Sequence, residues 1–285
     1  MSTAIAVVAA LLSAMCFGVA SVAQQYAASR APVGESLRPA LILHLARQPL
    51  WLAGMGLTVF SFVMQGAALA FGPLVLVQPV AATDLVFALP LLAWRRQERL
   101  TVAEWIGIVC TAGGVAAFLA VLPPGSAGTP VPALESWLPA FLCVGGLVGV
   151  LAAVGLRTGG KVRSALYAMS AAALFSLLDS LTKSTTGRIR AVGVNVLGHW
   201  EPYAMVGVGI AALVLSQSSF QAGSLAVSLP IIDTVEPIGA VLIGVAVFDE
   251  RLAASPPAVL TQAVAAGVAV LGIVVLALSP LARTP

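Results

Sequence analysis

The chain has 285 residues, of which 60% are hydrophobic and only 9% charged, with a formal net charge of +3. A soluble domain carries about 25% charged residues, and a chain of this length cannot bury so much apolar surface in one aqueous core. A water-soluble globular fold is therefore excluded, and an all-α integral membrane protein is expected.

The candidate spans are judged against the roughly 20 apolar residues needed to cross a bilayer. Nine stretches qualify, at 4–27, 50–70, 74–94, 104–121, 137–156, 163–183, 201–217, 222–247 and 257–279. The first has no positive flank and outruns a signal-peptide core, so it reads as a membrane helix. A further helix through 36–49 would bury Arg38, His44 and Arg47, each at a cost of a few kcal/mol, so an interfacial segment is expected there. Trp51, Trp94, Trp105, Trp137 and Trp200 fall at span ends, where an interfacial aromatic belt would sit. Cys16, Cys110 and Cys143 lie inside apolar stretches without metal-ligand spacing, which leaves no framework for disulfides or zinc. In the fifth span, Gly145-xxx-Gly149 permits a close helix contact, either within the chain or with a second copy in a homodimer.

The basic residues orient the spans. One side receives Arg30, Arg38, Arg47, Arg95, Arg96, Arg99, Arg157, Lys161, Arg163 and Arg283, and the other Lys183, Arg188, Arg190 and Arg251, so 10 of the 14 are on one side. The positive-inside rule makes the richer side cytoplasmic, with the amino terminus outside and the carboxyl terminus inside a plasma (inner) membrane. The halves are 1–121 and 137–285, joined by the Pro/Gly-rich outer linker 122–136.

The two halves share a pattern. Aligning Pro79 with Pro230 also pairs Gly72 with Gly223, Leu74 with Leu225 and Thr83 with Thr234. With a one-residue slip, Glu98-Arg99-Leu100 meets Glu250-Arg251-Leu252, and one further slip sets 112–116 against 265–269. An ordered series of this kind suggests duplication. The topology puts the first Glu-Arg-Leu turn inside and the second outside, so an inverted repeat of 4+5 helices is expected, with a site between the repeats at the midplane.

At that depth the sequence places Asp84 after Pro79, and Asp233 and Glu236 after Pro230 and before Pro237. Asp233 and Glu236 are three residues apart and share a helix face. No Lys or Arg sits at matching depth, so these acids are expected to be protonated, solvated in a cavity or neutralised by a cation. Each proline removes its own N–H and frees a carbonyl one turn earlier, at Val75, Ala226 and Asp233, which can meet an ion or substrate. Thr83 and Thr234 would add hydroxyls, and Gln24 and Gln65 could line the path or simply bond between helices. Gln262 reads as an interhelical hydrogen bond, and Asp179 with Lys183 as a local i, i+4 ion pair. His199 and Glu201 read as caps at the outer end of the seventh span. Walker, HExxH and GxSxG motifs are all missing, so no enzyme is expected.

The stretch Ala70-Phe71-Gly72-Pro73-Leu74-Val75-Leu76-Val77-Gln78-Pro79, then Glu98-Arg99-Leu100, Gly107 and Gly114, resembles the drug/metabolite transporter superfamily over about residues 4–279. The Phe-x-Pro-x-x-x-Val-x-Pro pattern and the nine spans look closest to its NIPA-like magnesium-transporter branch. The resemblance implies an inverted-repeat secondary transporter for magnesium or a related divalent cation, with Asp84, Asp233 and Glu236 as candidate metal ligands. A proton-coupled exporter of a small organic metabolite or drug would use the same acids. A non-transporting intramembrane scaffold is the reading from another class. The expected partners are the bilayer and a small-molecule or cation substrate, with no nucleic acid. No resident cofactor is expected, only Mg2+ or H+ as the transported or coupling ion.

Overall fold

The computed structural model describes residues 2–29, 47–123, 125–222 and 225–283. Its helices are α1 (Ser2–Ser29), α2 (Pro49–Phe71), α3 (Leu74–Ala81), α4 (Asp84–Arg96), α5 (Val102–Ala120), α6 (Leu134–Arg157), α7 (Gly160–Val192), α8 (Glu201–Ala222), α9 (Leu225–Phe248), α10 (Pro256–Ala277) and the short α11 (Pro280–Arg283). Among the described residues nine spans are long and apolar enough to cross a membrane, with α3 and α4 together forming the third. The interfacial segment expected at 36–49 lies outside the described residues up to 46.

Small residues and hydroxyls set the packing. α1 and α2 meet through Ser13 and Ser61, whose hydroxyls each donate to the other's backbone carbonyl at 2.9 Å. α5 and α10 cross so closely that a Cβ on Gly114 would lie 2.6 Å from the Ala269 nitrogen, so only glycine fits there. α7 contacts α2, α6, α8 and α9 and supplies much of the buried surface. α6 instead exposes Leu142, Val150 and Leu156, as a lipid-facing helix does.

The third span departs from the single helix expected over 74–94. Gly72 and Pro73 end α2 in extended backbone, and Pro73 caps α3 without a side-chain hydrogen bond. α3 then stops after eight residues, and Ala82 and Thr83 separate it from α4. The interruption falls three residues beyond Pro79, whereas Pro90 sits inside α4 without ending it.

A buried carboxylate holds the start of α3. Leu74 N–H donates to Glu250 Oε1 at 2.7 Å, and Val75 N–H to Glu250 Oε2 at 2.8 Å. Lys183 of α7 pairs with the same carboxylate, and its ammonium lies 4.2 Å from the Phe248 ring centroid. Glu250 is 2% and Lys183 4% exposed. Lys183 therefore pairs across the fold and not with Asp179 one turn earlier. The cation and the two oriented amides together satisfy an anion that would otherwise be costly to bury.

The linker covers this end. Thr129 N–H donates to the Phe248 carbonyl at 2.6 Å, and Arg251 N–H to the Ser126 carbonyl at 3.2 Å. Gly128 has φ +58 and runs so close to Phe248 that a side chain would collide with its carbonyl. The turns after α4 and α9 share a form, since Gln97 (φ 56) and Asp249 (φ 55) both adopt the left-handed conformation before a Glu-Arg-Leu run. Their glutamates differ, however: Glu250 is buried and Glu98 is exposed.

Three sequence expectations are corrected here. Trp137 is fully buried against Phe141, Trp200 and Phe248, so it belongs to the core and not to an interfacial belt. The sixth span runs well past residue 183, because its basic residues find partners: Arg188 pairs with the buried Glu201, and Arg190 donates to the Ala70 carbonyl. Glu201 is thus a core ion-pair partner and not an exposed cap. Gly145, Gly146 and Gly149 face open space, so this chain does not use them for internal packing.

Glu250→Ala should cost about 3–5 kcal/mol, because it strands Lys183 and two buried N–H groups. Glu98→Ala, on the exposed matching turn, should cost under about 0.5 kcal/mol. Thermal unfolding of the detergent-solubilised protein reads the difference, and equal shifts would contradict a structural role for the Glu250 cap.

Candidate functional site

The interruption between α3 and α4 makes Asp84 the first residue of a half-helix. Oriented backbone amides at such a terminus favour negative charge. α9 packs against α3 and α7, bringing Asp233 and Glu236, and α7 contributes Asp179. Asp233 lies within electrostatic reach of Asp84, and Glu236 within reach of Asp84, Asp179 and Asp233. Four carboxyls from three spans therefore share one site. Among the described residues none of them forms an ion pair with Lys or Arg.

Asp179 is the most enclosed of the four, at 9% exposure. Gln65 of α2 donates from Nε2 to Asp179 Oδ1 at 3.1 Å. The Gln78 and Glu236 side chains also stand within hydrogen-bonding reach of the Asp179 carboxyl. Gln78 is 2% exposed, and its side chain is directed at Asp179. Asp84, Asp233 and Glu236 remain half-buried.

The prolines act differently in the two halves. Pro79 precedes a true break, whereas Pro230 and Pro237 lie inside an uninterrupted α9. The two segments are thus not interrupted alike, as their sequences suggest. Around Pro237 the backbone finds a local partner: Ser176 of α7 donates to the Glu236 carbonyl at 2.7 Å. Gly239 makes room for that serine, since a Cβ there would collide with it.

The hydroxyls also differ. Thr83 is buried and donates to the Val80 carbonyl at 2.7 Å, which uses its proton to close the turn. Thr234 Oγ1 is buried without a partner. The Gln24 side chain lies outside the described residues. Gln262 accepts from Ala253 N–H at 2.9 Å, a bond to the loop before its own helix in place of the interhelical one expected.

Sequence reasoning brought Asp84, Asp233, Glu236 and Gln65 to this place and missed Asp179 and Gln78. Lys183 offered Asp179 a local partner, which masked its role. Gln78 directly precedes Pro79, and that adjacency was the available signal. Among the described residues no three His, Cys, Asp or Glu groups are arranged to hold a metal ion. An apolar crevice of about 160 Å3 lies nearby, lined by Pro79, Ala82, Phe118 and Pro237, but none of the carboxyls lines it.

Over 253 residues the chain is 30% identical to an uncharacterized protein of Corynebacterium glutamicum, covering 88% of this chain and 86% of that protein. No family model matches the chain, and no solved structure does.

Asp233→Asn keeps the size of the side chain and removes one of several carboxyls that repel each other at low dielectric. A gain of about 1 kcal/mol is expected, read as a melting temperature higher by about 2–4 °C. A fall of that size would mean that a favourable partner holds the Asp233 carboxylate.

Proposed function

We propose a transport function for this chain, which belongs to the same family as the Corynebacterium glutamicum protein: secondary active transport, by alternating access between two inverted halves, coupled to protons. One observation carries the reading. Four carboxyls from three spans meet beside a broken helix without a basic partner among the described residues. Buried acids cost stability, and a chain that keeps four together gains something from their chemistry. A site of this kind can hold protons and exchange them for a cationic substrate.

Several features support the inverted repeat. The turns after α4 and α9 share a left-handed residue and a Glu-Arg-Leu run. α5 and α10, which follow those turns, pack directly on each other, as paired elements do around a pseudo-twofold axis. The two turns nevertheless stand in different states, Glu250 docked on α3 and Glu98 free of any such burial. Alternating access requires that kind of inequality between related ends, with one closed while the other is not. In this reading the Glu250 end faces outward, following the distribution of basic residues. The resemblance to the drug/metabolite superfamily fits the same architecture.

The NIPA-like motif favours a second reading, magnesium transport. Mg2+ asks for near-octahedral oxygen ligands at 2.0–2.1 Å, and the carboxyls are not gathered for that here. Protons require no such convergence, which ranks proton coupling first.

Proteoliposomes with an internal pH indicator separate the two. Substrate-dependent proton flux is expected, and Mg2+ uptake without a pH response would replace it with the magnesium reading. Asp84→Asn and Asp233→Asn should each lower flux at least about tenfold, since the coupling ion loses an acceptor. Intact flux in both variants would remove these residues from the site.

A further inference from the structure

We propose that the linker is a detachable strap. Seated through residues 126–130, it holds the Glu250 turn on α3, and lifted, it lets that end of the molecule open. The proposal deepens the transport reading and rests on it for its purpose, but the contact it describes is measured without flux.

The strap touches both elements that carry the buried ion pair. On the α9 side, Thr129 N–H donates to the Phe248 carbonyl at 2.6 Å and Arg251 N–H to the Ser126 carbonyl at 3.2 Å, so its two bonds bracket Glu250. On the α7 side, a Cβ on Gly187 would lie 2.9 Å from the Pro130 carbonyl oxygen. Gly187 stands one turn beyond Lys183 on the same helix face. The strap therefore spans from the helix that supplies the cation to the turn that supplies the anion. Lys183 and Glu250 are 4% and 2% exposed.

The strap itself is lightly held. From Gly125 to Pro130 only Ser126 is buried, and the other residues are exposed. Segments with few buried apolar contacts and exposed backbone bonds open at a lower free energy than a helical core. Lifting this one releases the two backbone bonds to the turn and unwinds no helix. It also changes what lies inside. Exclusion of water makes the attraction between Lys183 and Glu250 strong. It also leaves the Leu74 and Val75 N–H groups dependent on Glu250. Once water enters, each of these contacts has a competitor, and the turn can leave α3.

The Glu98 turn has no such cover among the described residues. Its N–H bonds return to its own helix, Gln97 to the Trp94 carbonyl and Glu98 to the Ala93 carbonyl. Residues 97–99 are exposed. A linker that occurs once, between two halves, can strap only one of two related ends. It thus biases the molecule toward the state closed at Glu250.

Hydrogen–deuterium exchange on the full chain in detergent tests the strap. Gly128→Val displaces it by bulk, and Thr129→Pro removes the donor to Phe248. Ala127→Ser, at an exposed position, is the control. Each strap variant should speed exchange at Leu74 and Val75 about tenfold, the effect of losing roughly one hydrogen bond. Exchange around Gly114 in α5 and Ala269 in α10 should stay at the parent rate, and Ala127→Ser should change neither region. Unchanged exchange at Leu74 and Val75 in either strap variant would make the linker a passive cover and overturn the proposal. Equal acceleration in α5 and α10 would show general destabilisation and overturn it as well. The transport reading is judged separately. The expected exchange without proton flux in proteoliposomes keeps the strap and removes transport, while proton-coupled flux in the parent chain with unchanged exchange in a strap variant does the reverse.

Discussion

A helix that begins buried inside the protein has no water to take its first N–H groups, and this constraint governs the third span. Elsewhere in the chain a loop or an interface can supply partners. At Leu74 and Val75 the partner is the Glu250 carboxylate, delivered from the far end of the second half. That one anion needs a cation of its own, and Lys183 supplies it from α7. Three spans are fixed to one another by four polar groups. The position of α3 follows from this attachment, and the position of the break beyond it follows from α3. Asp84 is thereby placed at the head of α4, within electrostatic reach of Asp233 and Glu236 on α9. The polar satisfaction rule of membranes thus reaches from one end of the fold to the candidate site.

Two of the ionic clusters among the described residues, at Glu250 and at the candidate site, have opposite characters. At Glu250 every strong acceptor is met by oriented donors and a counter-charge. At the site four acids share few donors, and Gln65 to Asp179 is the clear hydrogen bond among them. The first arrangement favours a fixed contact, and the second is the one to which the proposed transport function assigns exchange. The asymmetry of the prolines matches this division. α9 stays continuous and presents Asp233 and Glu236 from a stiff element, while the broken third span offers Asp84 from a helix end. Ser176, bonded to the Glu236 carbonyl, fastens α7 to α9 at that level.

Much of this was legible in the sequence, for reasons that can be named. Span positions come from runs of apolar residues, a local property, and the structure has nine such spans among its described residues. Asp84, Asp233 and Glu236 stood out because acids in apolar runs are rare. What depends on contacts distant in sequence was hidden. Trp137 looks interfacial until Trp200 and Phe248 are folded against it. Lys183 looks like the partner of Asp179 until Glu250 arrives from 67 residues away. With Lys183 one turn away, Asp179 reads in the sequence as half of a neutral local pair and not as a site residue. The length of α7 was underestimated for the same reason, since Arg188 and Arg190 appear too polar for a span until their partners are known.

The separation of Leu74 from Glu250 also matters for the birth of the protein. The two residues are 176 positions apart. At about 5–20 residues per second, a ribosome needs roughly 10–35 s to make the intervening chain. Throughout that interval the first half is in the membrane with the head of α3 uncapped. Its four spans cannot reach their final arrangement until the ninth and last large helix is about to emerge. Assembly is therefore deferred to a single late step, and nascent chains truncated before Glu250 are the natural clients of membrane quality control.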